Sequence, residues 1–184
     1  RRSTLADKEI KQISLFEPAE AKVAKQFSYR PDHDGTNVNV GIKFKNSQEA
    51  GLGMPLPAGR LRMFKADDDG ALILLGEDWI KHTPRDEEVT ATIGVAFDVK
   101  GEMKMTDRTR VSQQVEDRQW EIEVRNHKTE DIVVSVEKRL WGSWEVLESS
   151  HEYTKKDASY IQFELPVKAG ETALIKLAVR FTNR

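Results

Sequence analysis

Apolar and polar residues alternate with a period of two along much of this chain, most cleanly in residues 118–140. Trp120, Ile122 and Val124 alternate with Gln119, Glu121, Glu123 and Arg125; after a polar link, Ile132, Val134 and Val136 alternate with Val133, Ser135 and Glu137. A period of two marks a strand with one buried and one wet face. Two such runs joined by a short polar link predict a β-hairpin in the middle of a sandwich sheet. The same alternation runs through Val38, Val40, Ile42 and Phe44, through Val89, Ala91, Ile93 and Val95, and through Ile175, Leu177, Val179 and Phe181.

Weaker segments fill the intervals. Ile10, Ile13, Leu15 and Phe16 give a first candidate strand, and Val23, Lys25, Phe27 and Tyr29 a second, which Arg30-Pro31-Asp32-His33-Asp34-Gly35 stops as a turn cluster. Residues 51–59 form a Gly/Pro loop that neither a helix nor a central strand accepts. Residues 60–65 and 71–75 flank Asp67-Asp68-Asp69-Gly70 and predict a hairpin. Residues 77–88 read as a linker or a crossing between sheets. Residues 101–116 read as a polar extended ribbon, either a partner-accepting edge or a plain solvated hairpin. Trp141-Gly142-Ser143-Trp144 breaks the alternation before Val146 and Leu147, and Tyr160, Ile161, Phe163 and Leu165 resume it.

Eleven or twelve short strands parted by turn residues predict an all-β chain, an antiparallel β-sandwich of immunoglobulin-like type. Two sandwich units in tandem fit, with residues 1–87 an N-terminal β-rich region and 88–184 the immunoglobulin-like sandwich. One continuous β-domain over 1–184 fits as well. The halves also rhyme, Phe44-Lys45-Asn46 with Val124-Arg125-Asn126, and Leu56-Pro57-Ala58-Gly59 with Leu165-Pro166-Val167-Lys168-Ala169-Gly170. Duplication and shared turn chemistry both produce such echoes.

Composition narrows the function. The 29 basic and 31 acidic residues are interspersed and leave a formal charge of −2, so no basic stripe exists to follow phosphates, and nucleic acid is not an expected partner. The 184 residues include no cysteine, which removes disulfides, thiolate metal sites and a cysteine nucleophile. No apolar run reaches the roughly 18 residues that a membrane helix needs. The chain begins Arg1-Arg2-Ser3-Thr4, without an initiating Met or a signal core, and reads as a cut or processed piece with an upstream region elsewhere.

Candidate chemistry is sparse. His33, His82, His127 and His151 lack metal-ligand spacing, and the Asp67-Asp68-Asp69-Gly70 run has Lys65 and Gly76 where a calcium loop needs acids. Gly51-Leu52-Gly53 leads into Met-Pro-Leu-Pro rather than into an anion-binding helix. Ser143, Ser149 and Ser150 lie near His151, but no nucleophile elbow surrounds them. No catalytic residue, metal or cofactor is expected. Trp141 and Trp144 are the candidate ligand-binding pair, placed where indoles can stack on a sugar ring, while Trp79 and Trp120 are expected as core anchors.

Several strings occur together and in order: 51–59, Gly76-Glu77-Asp78-Trp79-Ile80-Lys81-His82-Thr83-Pro84, Ala96-Phe97-Asp98-Val99, Val124-Arg125-Asn126-His127-Lys128 and Trp144-Glu145-Val146-Leu147-Glu148-Ser149-Ser150-His151. With these the chain resembles, over residues 38–181, the C-terminal domain of mucoidy-inhibitor-A-like bacterial proteins, the Domain of Unknown Function 4139 family. The resemblance implies a β-rich back part of a longer envelope, periplasmic or secreted protein. It brings no catalytic residues. The expected role is a non-enzymatic module that contacts an unidentified protein partner or scaffolds its own upstream region. The alternative is a carbohydrate-binding module that takes a glycan on Trp141 and Trp144.

Overall fold

The computed structural model describes residues 4, 6–11 and 19–182. Eleven strands occupy them: β1 Ala24–Tyr29, β2 Asn37–Lys45, β3 Gly59–Ala66, β4 Leu72–Ile80, β5 Glu88–Arg110, β6 Val115–Asn126, β7 Ile132–Arg139, β8 Ser143–Ser149, β9 Thr154–Lys155, β10 Tyr160–Val167 and β11 Thr172–Thr182. Nine form one sheet in the order β8-β11-β6-β5-β2-β1-β7-β10-β9, and β3 pairs with β4 alone. Every ladder is antiparallel except that of β1 on β7. The all-β, sandwich-like fold expected from the alternation is present. The strand expected at Ile13, Leu15 and Phe16 lies outside the described residues.

β5 explains how one ladder makes two layers. Its first half pairs with β2 up to Lys100, and its second half pairs with β6 from Val99 onward. One strand of 23 residues therefore passes from one layer to the other. β10 then lies across from β6 and β11. Their inward rows, Ile161, Phe163 and Leu165 on one side and Trp120, Ile122, Ile175 and Leu177 on the other, close a single core with Tyr29, Val134 and Val136. β1 and β2 share this sheet with β5 to β11.

The expected hairpin over 118–140 is corrected. β6 pairs with β5 and β11, whereas β7 pairs with β10 and β1, and the two never meet in a ladder. Alternation sets which side chains face inward, and both rows do: Trp120, Ile122 and Val124 are buried, as are Ile132, Val134 and Val136. Burial is satisfied by stacking the rows across the core rather than side by side on one face. Residues 127–131 thus arch over the end of the sandwich.

A buried asparagine fixes that arch. The Asn126 Nδ2 donates to the carbonyls of Glu130 (2.9 Å), Val167 (3.2 Å) and Lys168 (3.1 Å), and its Oδ1 accepts from the Lys128 N–H (3.0 Å). Asn46, just past β2, does the same work: Nδ2 donates to the carbonyls of Met54 (2.7 Å) and Pro84 (2.9 Å), and Oδ1 accepts from the Gly53 N–H (3.1 Å). Both residues are almost fully buried. Loop backbone that leaves water must find partners, and a carboxamide supplies donors and an acceptor together. The rhyme between Phe44-Lys45-Asn46 and Val124-Arg125-Asn126 has this shared turn chemistry beneath it.

Two further contacts fix the turn after β1. Lys138 is buried, with its Nζ 2.6 Å from Asp32 Oδ1, and Asp32 Oδ2 accepts from the Arg139 N–H at 2.9 Å. The turn cluster at 30–35 is therefore a strap across β7. Tyr29, fully buried, donates its hydroxyl to the Gly35 carbonyl at 2.8 Å, and burial pushes its pKa up to about 12. Gly101 permits this packing, because a Cβ there would sit 2.5 Å from the Tyr29 ring.

Candidate interaction surface

The β3–β4 hairpin turns where the Asp-Gly signal places it. The Gly70 N–H donates to the Asp67 carbonyl at 2.9 Å, the Asp69 carboxylate accepts from the Ala71 N–H at 2.9 Å, and Gly70 takes a φ of 82°. The acidic run is a tight turn. Directly opposed residues share a face, so the register puts Arg60, Arg62, Phe64, Leu72, Leu74, Glu77 and Trp79 on one side of the hairpin and Leu61, Met63, Ile73, Gly76, Asp78 and Ile80 on the other.

The second side is the inner one. Met63 and Ile80 are buried, and Ile80 packs with Phe44 and Val89 in a small core of their own, with Leu61 against it. Gly76 lets β4 approach β5, since a Cβ would lie 2.7 Å from the Ile93 carbonyl oxygen. Asp78 completes the tie: its Oδ2 accepts from the Thr92 N–H at 2.7 Å, beside a register shift in the β2–β5 ladder. The expected linker at 77–88 therefore starts later, because β4 continues to Ile80 in register with β3.

What remains is an outer face that nothing described covers. Phe64, Leu72 and Leu74 are each about half exposed or more, and Trp79 is 67% exposed. Trp79 as a core anchor is thus corrected: it stands opposite Arg60 on the side turned away from β5. Ion pairs of Arg60 (3.0 Å) and Arg62 (3.2 Å) with Glu77 brace the face. Asp78 at Thr92 and Gly76 at Ile93 set β4 antiparallel along β5. Phe97 is 95% exposed. Large apolar side chains exposed together on one face of a hairpin mark a contact site. Its signal was Leu72-Ile73-Leu74-Leu75, an unbroken apolar run that a two-stranded hairpin has no way to bury on both faces.

The candidate ligand pair divides. Trp141 is 60% exposed, and the Arg139 guanidinium carbon lies 3.5 Å from its ring centroid, so one indole face already carries a cation. Trp144 packs on the core, donates its Nε1–H to the Ala158 carbonyl at 2.8 Å, and has Lys155 Nζ 4.6 Å from its centroid. Trp120 is a core residue, edge-on to Phe181 at 6.1 Å.

The remaining candidates are held by local structure. His82 Nδ1 accepts from the Ala58 N–H at 3.1 Å. Ser150 Oγ lies 2.9 Å from His151 Nδ1 but also accepts from the Lys176 N–H at 2.8 Å, which ties it to β11. Among the described residues no three His, Asp or Glu side chains converge as a metal-binding group. No helix among them is long and apolar enough to cross a membrane.

The ribbon at 101–116 is the distal half of β5 with the start of β6. Beyond Lys100 the outer edge of β5 pairs with no other strand among the described residues. Ion pairs brace the ribbon against its neighbours: Arg108 forms a two-pronged contact with Glu116 (2.9 and 2.8 Å), Arg118 bonds the same carboxylate, and Arg180 of β11 grips Asp117 (2.8 Å twice). The two arginines hold the Glu116 carboxyl down at about 2, from 4.5. A depressed carboxyl contributes stability that is present above its unfolded pKa and fades as pH falls toward the folded value. Carboxyl-carbon NMR is therefore expected to show Glu116 still ionised at pH 3, with the ribbon loosening only nearer pH 2; an ordinary titration near 4.5 would show the cluster unformed.

No family model matches this chain, and no curated protein matches it. Among solved structures it is similar to the yeast delta-COP-I mu-homology domain complexed with a Dsl1 WxWxV peptide. That match has 10% identity and a TM-score of 0.34, and it covers 92% of this chain and 77% of that one. It is also similar to the folded domain of the Mycobacterium tuberculosis LppM protein, with 13% identity and a TM-score of 0.25, over 94% of this chain and 96% of that one. Scores this low carry no argument about role.

Proposed function

We propose that this chain is a non-catalytic protein-contact module whose contact surface is the outer face of the β3–β4 hairpin, extended by Val95 and Phe97. One observation carries the reading: Phe64, Leu72, Leu74, Trp79 and Phe97 stand exposed while the base of the hairpin is already packed through Met63 and Ile80. Leaving that much apolar surface in water is unfavourable, at about 25 cal/mol per Å². The β5 edge is the poorer contact, since Lys104, Asp107, Arg108 and Arg110 oppose an incoming strand. The resemblance to mucoidy-inhibitor-A-like proteins supports placing the module in an envelope or secreted bacterial protein, attached to an upstream region.

The test replaces Leu72, Leu74 and Phe97 by Ser together. Unfolding stability is expected to change by only about 0.5 kcal/mol for each exposed site, while chemical cross-links formed by the hairpin in the source cells disappear. Unchanged cross-links would remove the reading.

A second reading, glycan binding, rests on the exposure of Trp141. Trp141→Ala is the clean variant, because Trp144→Ala also breaks the Ala158 hydrogen bond and a core contact. A sugar site at Trp141 gives lost retardation in a polysaccharide gel with the fold intact; unchanged mobility would dismiss it.

A further inference from the structure

We infer that the outer face of the β3–β4 hairpin is a self-association surface, on which two copies of this chain pack face to face about a two-fold axis. The inference rests on the contact reading above and names its occupant, a second copy. Charge distribution along the hairpin carries it. The tip bears Asp67, Asp68 and Asp69; the base bears Arg60 and Arg62 on the outer face, with Lys81 just beyond β4. One carboxylate, Glu77, answers both arginines, so the base keeps a positive excess. Between the ends lies the apolar band of Phe64, Leu72 and Leu74, with Trp79 at the base.

A surface that is positive at one end, negative at the other and apolar between is complementary to itself when turned end for end. Antiparallel apposition lays the arginines of one copy over the acidic tip of the other, twice. It sets Trp79 of one copy toward Leu72 of the other, with Phe64 and Leu74 near the axis. Parallel apposition stacks acid on acid. Antiparallel edge pairing of β3 with a second β3 brings Arg60 and Arg62 of both copies together on one face, and like charges disfavour it. A two-fold, isologous contact also closes on itself and yields a dimer rather than a fibre.

Sedimentation equilibrium of the full chain over a wide concentration range tests this. A monomer–dimer equilibrium is expected, weakening as salt rises because the end contacts are screened. Leu74→Asp is expected to raise the dissociation constant on the order of 100-fold with thermal stability unchanged. Asp68→Lys, whose side chain makes none of the turn's hydrogen bonds, is expected to weaken the dimer and flatten its salt dependence. A chain that stays monomeric, or a dimer indifferent to Leu74→Asp, would overturn the inference. Hydroxyl-radical labelling of the monomer separates the two claims. Where the chain stays monomeric, rapid labelling of Leu72, Leu74 and Phe97 overturns only the second copy as occupant, while slow labelling overturns the contact surface as well.

Discussion

Asp32→Ala is expected to lower the unfolding free energy by about 3–5 kcal/mol, the cost of stranding a buried charge. Lys138 is 4% exposed, and its ammonium faces Asp32 at 2.6 Å and the Trp120 ring at 4.8 Å. Without the carboxylate the ammonium has lost its counter-ion, and the Arg139 N–H has lost its acceptor. Lys138→Met, which removes the buried charge instead, is expected to cost far less, and the double variant is expected to recover most of the loss. Urea unfolding of the four proteins reads out the cycle. A loss below about 1 kcal/mol for Asp32→Ala would place the pair among surface ion pairs of little weight.

Asn126→Ala is expected to cost about 2–3 kcal/mol, since the Val167 carbonyl stays buried with its donor gone. The carbonyls of Glu130 and Lys168 are less enclosed and recover water. For a chain of this size the loss corresponds to a fall in Tm of roughly 5–10 °C. Asn126→Asp is expected to be worse, because a carboxylate offers no donor to three carbonyls. Thermal unfolding with hydrogen exchange at 127–131 reads both effects; an unchanged Tm would mean that the arch stands without its clamp.

Much of the architecture is legible in the alternation, and what is not legible there has a common cause. Alternation reports which face of a strand is dry, and Trp120, Ile122, Val134 and Val136 do lie in the core. It does not report which strand lies alongside, so β6 and β7 read as a hairpin although they stack across the core. The arrangement is held in part by Asn126, whose acceptors at 167 and 168 are far away in sequence. Lys138 reads as a polar position and becomes a buried one only through Asp32, more than a hundred residues earlier. Trp79 lies outside the core for another reason. Its strand has one dry face, but the hairpin has too little neighbouring structure to cover the other, and a large aromatic there is surface.

The most direct measurement is residue-level hydroxyl-radical labelling of Leu72, Leu74, Trp79 and Phe97, compared between the dilute purified chain and the same chain in its source cells. With the β3–β4 face as a contact surface, labelling of these four falls in the cells while that of Trp141 does not. Equal labelling of all five residues in both settings would contradict it.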